Sequence, residues 1–325
     1  MSPGRTLLVL LRWGIFLLAC FHIYTQLASP KGSQSLHALW ALLKGHQLWI
    51  VISVVLLLML VNWWIEAVKW RSLLSPIASI GRLRSFMATI AGTSIALITP
   101  NRTGEFVGRV MFIEPDQRVK GAVAAMLGSI AQFLITLLAG AIGLFFVARS
   151  SSWDHAFAGP MIGALAFLAS ALALFAVVFY SSPRLLLAVL IRLPFLSRWH
   201  SDLTVLDRYS SGELMRILLL SAVRYVIFSA QFVLVLFQLP GGPALADAIM
   251  SVPVILLIST IIPTILLTEI GVRGSVALAV LAPVGAAEAT ILLATFTIWT
   301  VNLMLPAIAG SLILLSARIR TGAER

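Results

Sequence analysis

Of the 325 residues, 60% are hydrophobic and only 11% charged, a balance that excludes a soluble domain and predicts a multi-pass, all-α membrane protein. The formal net charge of +11 falls in short basic clusters between apolar runs, the pattern that orients membrane helices, so no nucleic-acid partner is expected. The single cysteine, Cys20, allows no internal disulfide and no cysteine-based metal site.

In chain order, the opening "MSPGRTLLVLLRWG" has the basic start of a signal peptide, with small residues near Ala28. Its apolar run, 7–29, is long for a signal sequence and is interrupted by Arg12, so an uncleaved first span is expected. Further full crossings are predicted at 47–67, 121–148, 159–181, 213–239 and 286–317, each long enough at 1.5 Å per residue. That makes six spans. Glu66 and Lys69 in "WWIEAVKWR" predict an interfacial ion pair beside a tryptophan belt.

Two other apolar regions, 84–113 and 247–284, are broken in the middle by Pro, Thr, Glu and Arg. Lys69, Arg71, Arg82 and Arg84 precede the first, and Arg118 and Lys120 follow it, which puts both of its ends on the cytoplasmic side. It reads as a re-entrant hairpin turning at Thr99–Gly104, a shape tolerated when the turn is buried or lines a water-filled cavity. The connection before the second region, "QLPGGPALAD", has no basic residue, whereas the tail after the last span has Arg318, Arg320 and Arg325. That hairpin is expected to open on the other side, with both termini cytoplasmic. The link 182–212, carrying Arg184, Arg192, Arg198 and Arg208, is then cytoplasmic, and its "PRLLLAVLIRLPFL" is expected to lie along the interface.

The two interruptions share a pattern. Pro100 is followed by Thr103, Glu105 and Arg109, and Pro263 by Thr268, Glu269 and Arg273. Segments 47–148 and 213–317 therefore predict an inverted-topology repeat, the arrangement of many secondary transporters. Thr103 and Thr268 are candidate N-caps of the returning arms, whose bare amides attract anions. Glu105 with Arg109, and Glu269 with Arg273, are spaced i,i+4 with Glu first, the favourable order. Such a pair either locks a hairpin or serves a ligand; two pairs in matching positions, deep in a membrane, favour the ligand.

Arg102 gives the first hairpin more positive than negative charge, which fits a phosphate-bearing partner that an arginine fork can grip at two points. Arg224, about three turns into its span, either faces the same cavity as a further phosphate contact, the favoured reading, or snorkels or pairs with a neighbour. Gln132, Gln231 and Asn302 are expected as helix-to-helix hydrogen bonds, and Pro306 as a kink. Asp247 and Glu288 mark the mouth of the second hairpin. There is no Gly-rich phosphate loop, His-Glu-x-x-His, nucleophile elbow or carboxylate-rich metal loop, so neither an enzyme nor a cofactor is expected.

"TPNRTGEFVGR" resembles the Thr-Pro-Gly-Arg-x-Gly-Glu-x-x-Arg-type signature of the flippase-like transmembrane family, found as the membrane portion of lysylphosphatidylglycerol synthases and as stand-alone bacterial and archaeal proteins. The likeness covers about 7–317. It implies a translocase of aminoacylated or sugar-linked lipids in a bacterial plasma membrane, and it gives Arg102, Glu105 and Arg109 a headgroup-binding role. Asn101 stands where many members have Gly, and "PTILLTEIGVRGS" replaces the Gly-rich second turn of relatives. The soluble aminoacyl-transferring domain is not among these residues, so lipid aminoacylation is not expected.

Three functions follow as expectations. The first is a translocase for an anionic or zwitterionic lipid, with Asn101, Arg102, Thr103, Glu105, Arg109, Arg224, Thr268, Glu269 and Arg273 as substrate-binding residues. The second is a proton-coupled carrier of a small anion. The third is a non-transporting scaffold whose partner is a lipid-modifying enzyme.

Overall fold

The structure is a computed structural model that describes residues 46–97, 99, 102–149, 159–192, 200–262 and 266–316. The first predicted span, 7–29, and the basic tail lie outside the described residues, as does Asn101. The described residues form helices joined by turns and short connections, with no strand among them. The helices are α1 His46–Leu74, α2 Arg82–Leu97, α3 Gly104–Val110, α4 Arg118–Val147, α5 Gly159–Tyr180, α6 Pro183–Leu190, α7 Ser211–Gln238, α8 Leu245–Ile261, α9 Leu266–Leu281, α10 Glu288–Trp299 and α11 Leu305–Ser316.

Among the described residues, four stretches are long and apolar enough to cross a membrane: Trp49–Leu74, Pro115–Val147, Ser211–Gln238 and Glu288–Ser316. A fifth is added if α5 and α6 form one bent span, because Ala166–Tyr180 and Pro183–Val189 meet at 96°. The protein is therefore a multi-pass helical membrane protein. Pro183 at the start of α6 explains the break, since it cannot supply the N–H that a continuing helix needs.

Contacts fix how neighbouring helices run. Gln231 on α7 donates to the Val55 carbonyl at 2.7 Å, and eleven positions further along α1 Glu66 meets Arg224, so α1 and α7 lie antiparallel. A Cβ on Gly104 would lie 2.6 Å from the Ile95 oxygen, and one on Gly108 2.5 Å from the Gly92 Cα, so α2 and α3 are antiparallel with their backbones touching. Small residues make the other close crossings. Gly140 and Gly143 of α4 admit Leu257 and Pro253 of α8, and Gly310 of α11 sits on the Ile90 carbonyl of α2, where Ser94 also donates to Ala307 at 2.7 Å. Close backbone approach through Gly and Ser is how helices pack without a hydrophobic drive between them.

Two local readings change. α1 runs to Leu74, seven residues past its predicted end, so Glu66 lies eight residues or about 12 Å inside the helix end. Glu66 is 3% exposed and Lys69 1%, which overturns the interfacial pair: they are interior. Near Pro306 the chain does more than kink, since a π-helical turn, Thr300–Met304, joins α10 to α11. Its wider ring absorbs the hydrogen bond that Pro306 cannot donate.

At the start of α7, Ser210 and Glu213 form a reciprocal capping box. Ser210→Ala is expected to lower stability by about 1 kcal/mol, read as a fall in melting temperature in detergent; no change there means that tertiary packing alone holds this end.

Candidate functional site

Beneath the α2–α3 pair lies a cluster of buried charges built on one stripe of α1. Asn62, Glu66 and Lys69 are spaced by four and three residues and so share a face. Glu66 is its hub. One carboxylate oxygen accepts from Arg109 Nη2 at 2.7 Å, and the other from Lys69 Nζ at 2.7 Å and from Arg224 Nη1. Arg109 also pairs with Glu105, four residues back on α3. Lys69 reaches the Gly128 carbonyl at 3.3 Å and Ser221 at 3.4 Å, in space that the missing Gly128 side chain leaves open.

Arg224 is held from several sides. Its Nε donates to Asn62 at 3.0 Å, its Nη1 to Gln132 at 3.3 Å, and it stands 5.7 Å from the centre of the Trp63 ring. Arg109 stands 5.8 Å from Trp70 in the same way. Indole faces stabilise guanidinium groups that have lost their water. Three cations, Lys69, Arg109 and Arg224, face two carboxylates, Glu66 and Glu105.

Beside this cluster is a cavity of about 180 Å³. Arg102 lines it from the turn between α2 and α3, Arg224 from α7, Arg273 from α9, Gln132 from α4, and Ser259 and Asn302 from α8 and the π-helical turn. Arg273 is tied to Glu269 at 2.8 Å, four residues back, the second of the two predicted i,i+4 pairs. Counted together, Lys69, Arg102, Arg109, Arg224 and Arg273 outnumber Glu66, Glu105 and Glu269 by two. The Nε of Arg273, the hydroxyl of Ser259 and the side-chain oxygen of Asn302 are buried with no hydrogen-bond partner among the described residues, a condition that costs free energy unless a polar guest meets them.

Arg102 is also the one non-glycine residue with positive φ among the described residues, at 60°. A left-handed arginine costs about 1–2 kcal/mol, and its amide is held by the Thr99 carbonyl at 3.2 Å. Such an outlier, kept in place by its surroundings, points toward function.

The other predicted residues fall differently. Arg109 is 3% exposed and does not line the cavity; its two carboxylates hold it in the cluster beneath. Thr103 makes no side-chain cap on α3: its own backbone is already helical, at φ −61° and ψ −25°, rather than extended as a cap requires, and the Gly104 amide goes to Thr99 Oγ1 at 2.7 Å. Thr268 sits in the first turn of α9, already helical at Leu266, rather than before it, and only its backbone is described. The sequence reading missed Glu66 as the hub and Thr99 as the cap. The signal for Glu66 was the Asn62–Glu66–Lys69 stripe, and for Thr99 its place five residues before Gly104. Of the predicted interhelical bonds, Gln132 reaches the Ser221 carbonyl at 3.4 Å and Gln231 the Val55 carbonyl, whereas the Asn302 amide turns back to Ile298 in its own helix at 3.3 Å.

A comparison with curated proteins finds no match. The family described as lysylphosphatidylglycerol synthase TM region matches residues 10–310, nearly the whole chain and all of the site just described. The apolar helices and this match together place the chain, as a multi-pass membrane protein linked to lipid handling, in the lysylphosphatidylglycerol synthase TM region family.

Proposed function

We propose that the protein is a lipid translocase: the phosphate-bearing head of an anionic or zwitterionic lipid passes through the central cavity while its acyl chains stay in the bilayer. The observation that carries this is the meeting of three guanidinium groups, Arg102, Arg224 and Arg273, from three separate parts of the chain on one cavity. Guanidinium groups grip phosphate at two points and keep their charge at any working pH. A cavity of about 180 Å³ lies below the roughly 300–1,000 Å³ of sites that enclose a whole small molecule. It suits a headgroup whose tails remain outside.

The packing supports an inverted repeat as the frame. In this reading α1, α2 with α3, and α4 correspond to α7, α8 with α9, and the helix formed by α10 and α11. The contacts are reciprocal, since α2 packs on the C-terminal half of the second copy's last helix and α8 on the C-terminal half of α4. The antiparallel run of α1 and α7 is what an axis in the membrane plane requires. The two hairpins then enter from opposite faces, with the basic connections and both termini in the cytoplasm of a bacterial cell.

Within that frame Arg102, Arg224 and Arg273 hold the phosphate, and Asn302 and Ser259 meet the remaining polar atoms. Glu269 aims Arg273, and Glu66 aims Arg224. No bond is made or broken, no cofactor takes part, and any lipid-modifying enzyme acts as a separate partner.

The test is leaflet-resolved movement of a fluorescent phosphatidylglycerol in liposomes holding the purified protein. Arg102→Gln and Arg273→Gln are each expected to slow movement about 10–100-fold, since each removes a charged hydrogen bond worth roughly 1.5–3 kcal/mol and 1.4 kcal/mol is tenfold. Melting temperature should hold for Arg102→Gln and fall for Arg273→Gln, which leaves the buried Glu269 without its ion pair. Wild-type protein that moves lipid no faster than empty liposomes, or moves free phosphate instead, ends the reading.

A further inference from the structure

A second cavity, of about 370 Å³, lies at the basic end of the helices, where α1 finishes and α7 begins. Its walls include Arg71 and Ser75 from the end of α1, Ser79 from the link to α2, and Tyr209, Glu213 and Arg216 around the start of α7. None of its lining residues lines the central cavity. Arg216 and Arg224 are eight residues apart on α7, about 12 Å along the axis.

Its walls are fixed in place. The Tyr209 hydroxyl donates to the Leu73 carbonyl and Arg208 to the Pro76 carbonyl at 3.0 Å, which fastens the segment before α7 over the end of α1. Arg71 Nε donates to the Ile80 carbonyl at 3.1 Å, leaving its two terminal amino groups without a partner among the described residues. Glu213 is committed to the Ser210 amide and hydroxyl at 2.8 and 2.9 Å. Arg216 makes no ion pair or hydrogen bond among the described residues, although a carboxylate sits three positions before it.

Charge and surface together select the occupant. Two open guanidinium forks against one carboxylate already in use leave a positive pocket with serine hydroxyls on its wall. Apolar side chains lead away from it along the same helix faces. Leu219 and Val223, three and seven residues after Arg216, are 60% and 47% exposed, and Trp64, seven before Arg71, is 45% exposed. A free ion in water needs no such apolar strip, whereas a lipid does.

We propose that this pocket seats the phosphate of an anionic lipid from the leaflet at the basic end, as a docking site separate from the central cavity. The proposal rests on the membrane reading of the helices and not on lipid movement, so it can fail while translocation stands, and the reverse. In the further event that both hold, the pocket concentrates lipid beside the helices whose inner faces bear Glu66 and Arg224.

The experiment counts lipids bound to the purified full-length protein by native mass spectrometry from detergent, with phosphatidylglycerol offered beside a diacylglycerol of the same chains. Wild type is expected to retain phosphatidylglycerol and not diacylglycerol. Arg102→Gln with Arg273→Gln should still retain one lipid; on that background Arg71→Gln with Arg216→Gln should cut retention at least tenfold, and Arg71→Lys with Arg216→Lys should restore part of it. Because Arg71 and Arg216 are exposed, an unchanged melting temperature is expected and is measured in parallel. Retention unaffected by the Arg71 and Arg216 changes overturns the proposal, as does displacement by inorganic phosphate at concentrations equal to the lipid's.

Discussion

Glu66→Gln is expected to cost about 3–5 kcal/mol of stability, the range found when one partner of a buried ion pair is removed, and so to lower sharply the fraction of protein that is folded and extractable. The shape of the side chain is kept, so the loss isolates charge. Lys69, Arg109 and Arg224 all converge on this one carboxylate from three helices, and with Gln there only Glu105 remains to balance them. Lys69 is 1% exposed, so its charge is as deep as the carboxylate it loses. The double change Glu66→Gln with Lys69→Met removes one of the stranded cations and is expected to recover part of the loss, because the two residues share an interaction and their effects do not add. Chemical unfolding in detergent measures both. A single variant within about 1 kcal/mol of wild type, or a double variant whose loss is the sum of two large ones, shows that the charges are watered and independent.

The hub was the part of the site least visible in the sequence. Apolar run length set the helices and their approximate ends, and the two Glu-x-x-x-Arg segments set the ion pairs, because both signals are local: one is a property of consecutive residues, the other of an i,i+4 spacing. Glu66 meets Arg109 across 43 positions and Arg224 across 158, contacts that no local period announces. Its depth was misjudged for a second local reason. Trp63, Trp64, Lys69, Trp70 and Arg71 look like the aromatic and basic residues of an interface, but Trp63 and Trp70 are 4% and 0% exposed and serve as indole faces against Arg224 and Arg109. The helix ends misled for the opposite reason. Thr103 has the chemistry of a cap and the right neighbours, yet its backbone is already helical rather than extended, and Thr99 takes the Gly104 amide across the turn at the left-handed Arg102. That conformation, in a residue with no special liking for it, could not be read from composition.

The asymmetry between α3 and α9 gives the sharpest structural contrast, since the same Gly→Ala change is expected to have opposite signs in them. On α3, a Cβ at Gly108 would lie 2.5 Å from the Gly92 Cα, 3.0 Å from its nitrogen and 3.1 Å from the Ala91 oxygen. All three are backbone atoms, so no side chain can swing aside and α3 itself must move off α2 by about 1 Å to reach ordinary contact distance. Arg109 is the next residue, and that movement draws its guanidinium away from Glu66. Overpacking costs typically 1–3 kcal/mol, and here part of a buried ion pair is lost with it, so Gly108→Ala is expected to lose about 3 kcal/mol. On α9, a Cβ at Gly271 meets nothing within 4 Å, although it too lies between the Glu and the Arg of its pair. There Ala supplies helix propensity without a clash, and Gly271→Ala is expected to gain up to about 1 kcal/mol. Melting temperatures of the two variants in one detergent should fall on either side of wild type. If Gly108→Ala is as stable as Gly271→Ala, then α2 and α3 do not touch through glycine, and Arg109 is not delivered to Glu66 by that contact.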